Sequence, residues 1–286
     1  MPKFNLVHCL LHPTKPHGLW GYNEVIETIA WGLKELGHEV TRSVNQPQAD
    51  CVNIIFGAQV LPMAVLDALP PNAIVYNFEQ IRNLGPEAIR PEVRLIASRC
   101  QIWDYSRSNL EAWTALGAGA RVQVVPIGYA PILTRIPASA PQDIDVLMYG
   151  GSDAKRLRAF EILADAGLTV MFVCGAYGAE RDSLIARAKL VLNVNRYHVS
   201  RVFEIVRVSY LLANRKAVVS VLEEDMDVEA DIKACIRFTP LNNLAAECQY
   251  LAENAAARAL LGEYGFSAIS RRDIRKILLA PLAALT

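Results

Sequence analysis

The sequence predicts an α/β protein with two domains, each built around a parallel sheet. Short apolar segments of strand length alternate with helical patterns along the chain, and a proline-rich stretch near the middle interrupts this alternation. The length of 286 residues suits two domains of ordinary size, with enough apolar residues for two cores. Because parallel strands need long crossover connections, helices between successive strands favour parallel sheets.

The first domain is predicted over residues 1–130 and opens with a β-α-β unit. Residues 4–10 have the composition of a strand, and a helix follows in which Val25, Ile29 and Leu33 share one apolar face. Gly37 ends this helix, and the next strand begins directly after it. Further strands are predicted at 51–56, 73–78, 101–105 and 121–125, with helical patterns at 61–69, 86–98 and 106–116. This alternation predicts a Rossmann-like domain.

A linker is predicted over residues 131–142, where Pro131, Pro137 and Pro141 interrupt any regular element. The second domain, residues 143–286, then resumes the alternation. Strands are predicted at 144–149, 168–174, 190–192, 217–221 and 236–238, and helices at 154–166, 181–188, 241–263 and 268–279, with one more helix before the strand at 217–221. A second Rossmann-like domain follows from this order.

Composition argues against several classes of function. The formal net charge is zero, so the sequence lacks the basic character typical of a nucleic-acid-binding protein. No run of about twenty apolar residues predicts a transmembrane helix, and the N-terminus is too polar for a signal peptide, so a cytoplasmic protein is expected. The six cysteines are dispersed, without a C-x-x-C pair or a histidine at ligand spacing, which predicts buried thiols and no metal site.

The segment between residues 189 and 220 is the most informative about function. It contains a strand, a polar loop, a helix and a second strand, and the helix is apolar around most of its circumference, so it is expected to be buried. Glu204 lies in the first turn of that helix. A carboxylate there points to the edge at which parallel sheets bind nucleotides.

A second candidate site is the turn between the first strand and the first helix of the second domain, with the sequence YGGSDAKR over residues 149–156. Gly150 and Gly151 allow backbone amides to approach a phosphate, and the helix N-terminus offers unpaired N–H groups. Lys155 or Arg156 would neutralise a diphosphate. Two glycines before a helix also form an ordinary tight turn, and a lysine there is then a solvated surface charge.

Together these segments resemble the donor-binding region of glycosyltransferases with the GT-B fold, and the resemblance covers most of the chain. It is carried by Phe203 and Glu204, by the turn and strand that lead to Ser220, and by the glycine turn at 150–151. It implies two Rossmann-like domains whose parallel sheets face each other across a cleft. It also implies that Glu204 binds the ribose of a nucleotide sugar and that the glycine turn, with its cation, binds the diphosphate.

The resemblance implies further contacts with the donor. Tyr177 follows a strand at the position where the family places the nucleobase, on which its ring would stack; packing within its own domain is the alternative. Arg196 and His198 precede the helix of Glu204 and would reach the phosphates or the sugar, and Ser200 would cap that helix beside the diphosphate. Arg196 stands where many retaining members have a second glutamate, so both stereochemical outcomes stay open.

Two residues of the first domain are candidates for the base that activates the acceptor. His17 lies in the loop between the first strand and the first helix, where inverting members often hold their base, and histidine titrates near neutrality. The alternative for His17 is a hydrogen bond within its own loop. Glu79 follows the strand at 73–78, which places its carboxylate at the ligand-binding edge of the sheet.

The predicted function is transfer of a sugar from a UDP- or GDP-sugar to an acceptor hydroxyl, without a tightly bound cofactor or a metal ion. The acceptor is expected to be a glycan, a lipid-linked molecule or a small molecule. Two alternatives stay open: a nucleotide-sugar epimerase of the same fold, and a non-catalytic binding protein. A dinucleotide dehydrogenase is disfavoured, because the first strand of neither domain is followed by a G-x-G-x-x-G loop.

Overall fold

The computed structural model describes residues 2–285 except 13, 16–17, 138–140, 197–198 and 200. The chain divides into two compact units. The first contains most of residues 1–130 together with Arg272–Thr286, and the second contains Pro131–Arg271 and the short segment around residues 18–21. The last fifteen residues therefore cluster with the first unit, whereas the sequence analysis assigned them to the second domain.

The first unit is built around a six-stranded parallel sheet with the order β2-β1-β3-β4-β5-β6. Its strands are β1 (Lys3–His8), β2 (Glu39–Val44), β3 (Val52–Phe56), β4 (Ile74–Asn77), β5 (Gln101–Asp104) and β6 (Val122–Val124). Its helices in this part of the chain are α1 (Asn23–Glu35), α2 (Met63–Asp67), α3 (Pro91–Arg99) and α4 (Leu110–Ala115). Strands β1, β3 and β4 are buried along almost their whole length, as in a sheet that is covered on both faces.

The second unit has a five-stranded parallel sheet with the order β11-β10-β9-β7-β8. Its strands are β7 (Ile144–Tyr149), β8 (Val170–Val173), β9 (Ala188–Asn193), β10 (Ala217–Val221) and β11 (Arg237–Thr239). Its helices are α5 (Ala154–Asp165), α6 (Gly178–Arg187), α7 (Ile205–Ala213), α8 (Ala230–Lys233), α9 (Leu244–Glu253) and α10 (Ala255–Ser270). Because β7 lies between β9 and the edge strand β8, the strand-to-helix turn after β7 emerges from an interior strand of the sheet.

The core of the second unit fixes which strand residues are available for a site. Leu190, Leu192 and Val194 pack in one cluster with Leu163 of α5 and Cys248 of α9. Successive residues of a strand point to opposite faces, so Asn193 faces away from this cluster, at the end of β9.

The last helix, α11 (Ile274–Ala283), packs within the first unit against α1. A Cβ atom at Gly32 of α1 would lie 2.9 Å from the Ile274 side chain, so the two helices approach closely at this glycine. The backbone N–H of Tyr129 donates to the carbonyl of Arg272 at 2.7 Å, and that of Ile274 donates to the carbonyl of Tyr129. These contacts attach the C-terminal segment to the end of the first unit.

Two helices, α3 and α11, begin at other residues than the sequence predicted, because the capping residues decide where they start. The helix expected at 86–98 becomes a short 3-10 turn followed by α3, which begins at Pro91, a residue that needs no N–H partner in the first turn. The helix expected from 268 begins at 274, because the Asp273 carboxylate accepts from the N–H of Arg275 and starts a new helix there.

Among the described residues, no helix is long and apolar enough to cross a membrane.

Candidate functional site

The glycine turn at the end of β7 leads into α5 through a capped N-terminus. Gly150 has φ +115, a conformation that residues with a side chain rarely adopt. Asp153 caps α5, since its Oδ1 accepts from the N–H of Arg156 at 2.9 Å. The turn thus lies at the carboxyl end of an interior strand, beside the N–H groups at the start of a helix, as a phosphate site requires.

Arg156 holds three parts of this region together. Arg156 is 2% exposed, and its Nε donates to the carbonyl of Val194 at 2.9 Å. Its Nη1 donates to the carbonyl of Gly151 at 2.7 Å, and its Nη2 lies 2.8 and 3.0 Å from the two carboxylate oxygens of Glu204. Burial lowers the pKa of Arg156, and the charge of Glu204 opposes that shift. Arg156 therefore has a structural role in addition to its charge.

Glu204 lies immediately before α7, at the N-cap position, whereas the sequence predicted it in the first turn of the helix. Its Oε1 accepts from the backbone N–H of Arg196 at 3.0 Å, and its Oε2 lies 2.8 Å from Nη2 of Arg207. With Arg156, this carboxylate connects the loop after β9 to the glycine turn. The structure thus brings Glu204, Arg156 and the glycine turn together.

Arg207 is the residue of this cluster that the sequence analysis missed. Its Nη2 lies 2.9 Å from the position that a Cβ at Gly150 would occupy, and its guanidinium carbon lies 5.4 Å from the centre of the Tyr149 ring. Burial raises the pKa of the Tyr177 hydroxyl, and the positive charge of Arg207 opposes this shift. A signal was available, because Arg207 is the one charged residue in the helix sequence IVRVSYLLA.

The remaining predicted donor contacts have different surroundings. Arg196 covers the second glycine, with its Nη1 3.2 Å from the position of a Cβ at Gly151. Lys155 forms an ion pair with Glu223, and burial lowers the pKa of the Lys155 ammonium. His198 and Ser200 lie outside the described residues. The two glycines are thus each covered by an arginine, and Lys155 points to a carboxylate.

Two buried amides lie next to this cluster. Asn195 is fully buried, and both its Nδ2 and its Oδ1 have no hydrogen-bond partner among the described residues. Asn193 donates to Oγ of Ser220 at 3.2 Å, while its Oδ1 has no partner in the described part of the chain. The neighbours of Asn195 on both sides, Val194 and Arg196, are bonded to Arg156 and Glu204 through their backbones.

In the first unit, Glu79 lies beyond the carboxyl end of β4 and is fixed by neighbouring amides. Its Oε1 accepts from Nε2 of Gln59 at 2.7 Å, and its backbone N–H donates to Oδ1 of Asn77 at 3.1 Å. Burial raises the pKa of Glu79, while the charge of Arg90 and the bond from Gln59 oppose the shift. His17, the other predicted base, lies outside the described residues.

Asp104, at the end of β5, is satisfied within the protein. Its carboxylate accepts from Nε1 of Trp113 at 2.6 Å, from Nδ2 of Asn77 at 2.8 Å, from Nδ2 of Asn109, and from the backbone N–H of Ser106 at 2.8 Å. Burial raises the pKa of Asp104 to about 6, and these donors oppose the shift. We assign Asp104 to the stability of the first unit rather than to ligand binding.

No family model matches the sequence, and no curated protein matches it significantly. Solved structures match it over its whole length. AviGT4, a glycosyltransferase of avilamycin A biosynthesis, is 19% identical with a TM-score of 0.63, and the match covers 100% of this chain and 98% of that one. HepE of Anabaena, solved with UDP-glucose, is 14% identical with a TM-score of 0.63 and coverages of 99% and 100%. Sucrose-phosphate synthase from Thermosynechococcus elongatus is 14% identical with a TM-score of 0.61 and coverages of 100% and 98%.

These similarities, together with the two parallel sheets, give the chain the GT-B fold of glycosyltransferases. The fold predicted from the sequence is confirmed. At these sequence identities the likeness extends to the fold alone, so the activity has to be inferred from the site itself.

Proposed function

We propose that this protein is a glycosyltransferase that moves a sugar from a nucleotide-diphosphate donor to an acceptor hydroxyl. The observation that carries the proposal is the basic glycine turn of the second unit, where Gly150 and Gly151 are covered by Arg207 and Arg196 beside the capped start of α5. Backbone amides and guanidinium groups at one turn are suited to a diphosphate. A uridine donor is favoured over a guanosine donor, because similar structures were solved with UDP or UDP-glucose.

In the proposed reaction, the main task of the protein is to stabilise the leaving group. As the bond between the sugar and the diphosphate breaks, negative charge grows on the departing phosphate oxygen. Cations and N–H groups that are already fixed by the fold stabilise this charge without reorganisation. In this proposal the arginines supply the countercharge without a metal ion, and Tyr177 contributes a face for the nucleobase.

The acceptor side of the reaction is proposed for the first unit, with Glu79 as the base. A raised pKa brings a carboxylate closer to neutrality, where a general base works best. His17 is the second candidate for this role. The acceptor is proposed to be a glycan, a lipid-linked molecule or a small molecule.

The first test is a thermal-shift panel with UDP, GDP, UDP-glucose and ATP. A ligand present at about 100 times its dissociation constant adds roughly 2.7 kcal/mol to the free energy of unfolding, which raises the melting temperature clearly. We expect a shift with UDP and UDP-glucose and a smaller one with GDP. The absence of a shift with every nucleoside diphosphate would contradict the proposal.

Turnover then separates the transferase from its alternatives. A transferase releases UDP from UDP-glucose faster when an acceptor is added. An epimerase converts the free nucleotide sugar without any acceptor, and a binding protein retains UDP-glucose unchanged. Glu79→Gln is expected to slow transfer without weakening UDP binding, with Glu87→Gln, at an exposed position, as the control.

A further inference from the structure

The Glu204 carboxylate is held by protein groups at both of its oxygens. Oε1 accepts from Nη2 of Arg156 and from the backbone N–H of Arg196, and Oε2 accepts from Nη2 of Arg156. Oε2 also forms an ion pair with Nη2 of Arg207 at 2.8 Å. Three nitrogens thus contact the carboxylate, and a ribose hydroxyl at Glu204 would compete with them.

The cations around the glycine turn differ in what they can offer a ligand. All three donor nitrogens of Arg156 are bonded to the protein, and its side chain is 3% exposed. Lys155 is paired with Glu223. Arg207 is 20% exposed at its side chain, and Glu204 is its one ion-pair partner among the described residues. Because a guanidinium has five N–H donors, Arg207 keeps most of them for a ligand.

The position of Arg207 is also the right one. Its Nη2 occupies the space beside Gly150 that any larger residue would fill, directly on the turn proposed for the diphosphate. The Tyr149 ring and the Glu204 carboxylate both hold the guanidinium in this place. A cation that is held before the ligand arrives binds it with little loss of conformational freedom.

We infer that Arg207 contacts the donor diphosphate and that Glu204 is a positioning residue, which holds Arg207 on the glycine turn instead of binding the ribose. The inference rests on the proposed function, because it names a residue for the same donor site. It replaces the role that the resemblance implied for Glu204 and the cations, Lys155 or Arg156, that the sequence suggested.

Isothermal titration calorimetry with three probes tests it: UDP, inorganic pyrophosphate and uridine. The variants are Arg207→Met, Arg207→Lys, Glu204→Gln and the double variant, with Arg158→Met on the exposed face of α5 as the matched control. Arg207→Met is expected to weaken UDP and pyrophosphate by about tenfold to a hundredfold, the size of a charge-assisted hydrogen bond, and to change uridine less than twofold. Arg207→Lys is expected to restore part of the loss.

Glu204→Gln is also expected to weaken UDP and pyrophosphate binding more than uridine binding, by a smaller factor than Arg207→Met. In the double variant, Glu204→Gln should add little to the loss of affinity caused by Arg207→Met. If Glu204→Gln weakens uridine binding as strongly as UDP binding, the inference is overturned, because that result assigns Glu204 to the ribose. Unchanged pyrophosphate affinity in Arg207→Met would overturn it too. A wild-type protein that binds none of the three probes would instead refute the proposed function.

Folding is checked by the urea midpoint of each variant. Glutamine keeps the shape of Glu204 and one acceptor for Arg156, so this variant is less disruptive than alanine. Arg207 is partly exposed, and its variants alone decide the assignment of the diphosphate contact if Glu204→Gln does not fold.

Discussion

Nε1 of Trp113 lies 2.6 Å from Oδ2 of Asp104, and both side chains are fully buried in the first unit. The same carboxylate also receives donors from Asn77, Asn109 and Ser106. A buried charge is tolerated only when its hydrogen bonds are made, and here the donors come from three different parts of the chain. The network thus holds the end of β4 and helix α4 to the end of β5.

Asp104→Ala is expected to lower the free energy of unfolding by about 3–5 kcal/mol, because it leaves several buried donors without an acceptor. Urea denaturation of the variant and the wild type measures this loss. Asp67→Ala removes an exposed carboxylate that pairs with Arg99, and it should change the midpoint very little. Equal effects of the two substitutions would contradict the assignment of Asp104 to stability.

Asn195 and Asn109 are both fully buried, yet they differ in what they bond to, and this difference gives a matched pair of variants. Oδ1 of Asn109 accepts from the N–H groups of Ile81 and Arg82, and its Nδ2 donates to the carbonyl of Glu79. Asn109→Leu is therefore expected to cost about 3 kcal/mol or more, from several lost hydrogen bonds and the groups left unpaired.

Asn195→Leu breaks no hydrogen bond among the described residues, so we expect a change in the free energy of unfolding between zero and a gain of about 1 kcal/mol. Chemical denaturation of both variants, without nucleotide, makes the comparison. A loss of similar size in the two variants would mean that Asn195 has a partner in the folded protein.

Gly262 of α10 packs against the backbone that precedes β10. A Cβ at this position would clash with the carbonyl oxygen of Arg215, and the backbone cannot move aside as a side chain can. Alanine favours helix over glycine by about 1 kcal/mol, but the clash outweighs this gain, and we expect Gly262→Ala to destabilise the protein by about 3 kcal/mol. Gly85→Ala, where a Cβ meets open space, is the control for the thermal melts.

The sequence was sufficient for the parts of the molecule that repeat a local pattern. Apolar periodicity predicted the strands of both sheets, and glycines before a helix predicted the turn at Gly150. Glu204 stood out because it is an acid at the start of an apolar helix. These signals lie within a few residues of one another along the chain.

The rest depends on residues that are distant in the sequence. Arg156 and Glu204 are 48 positions apart, and nothing in either segment shows that the guanidinium is buried against the carboxylate. Asn77 likewise reaches Asp104 from 27 positions away, on a different strand. Arg207 was missed because a single arginine on a helix is usually a surface charge, and only the fold places it beside Gly150.

Lys216 lies immediately before β10 and makes the stability of the protein depend on pH in the alkaline range. Its ammonium is buried, with the carbonyl of Ala188 at 2.7 Å, and burial, with a smaller effect of the Arg258 charge, lowers the pKa of Lys216 to about 8. In the unfolded chain the lysine keeps its ordinary pKa near 10.5. Between these two values the unfolded state binds the proton and the folded state does not, so stability rises with pH across this window.

The expected result is a pH-dependent difference in the free energy of unfolding between Lys216→Met and the wild type. The comparison is needed because other groups also titrate in this pH range. Below pH 8 the folded state carries a buried charge at a cost of about 3 kcal/mol, and this cost falls as the pH approaches 10. Lys216→Met removes the charge, so its stability relative to wild type should be greatest near pH 7 and should decrease at higher pH. Urea denaturation at pH 7, 8, 9 and 10 measures this difference, with Lys34→Met at an exposed position as the control. A difference that stays constant across the series would show that Lys216 titrates alike in the folded and unfolded states.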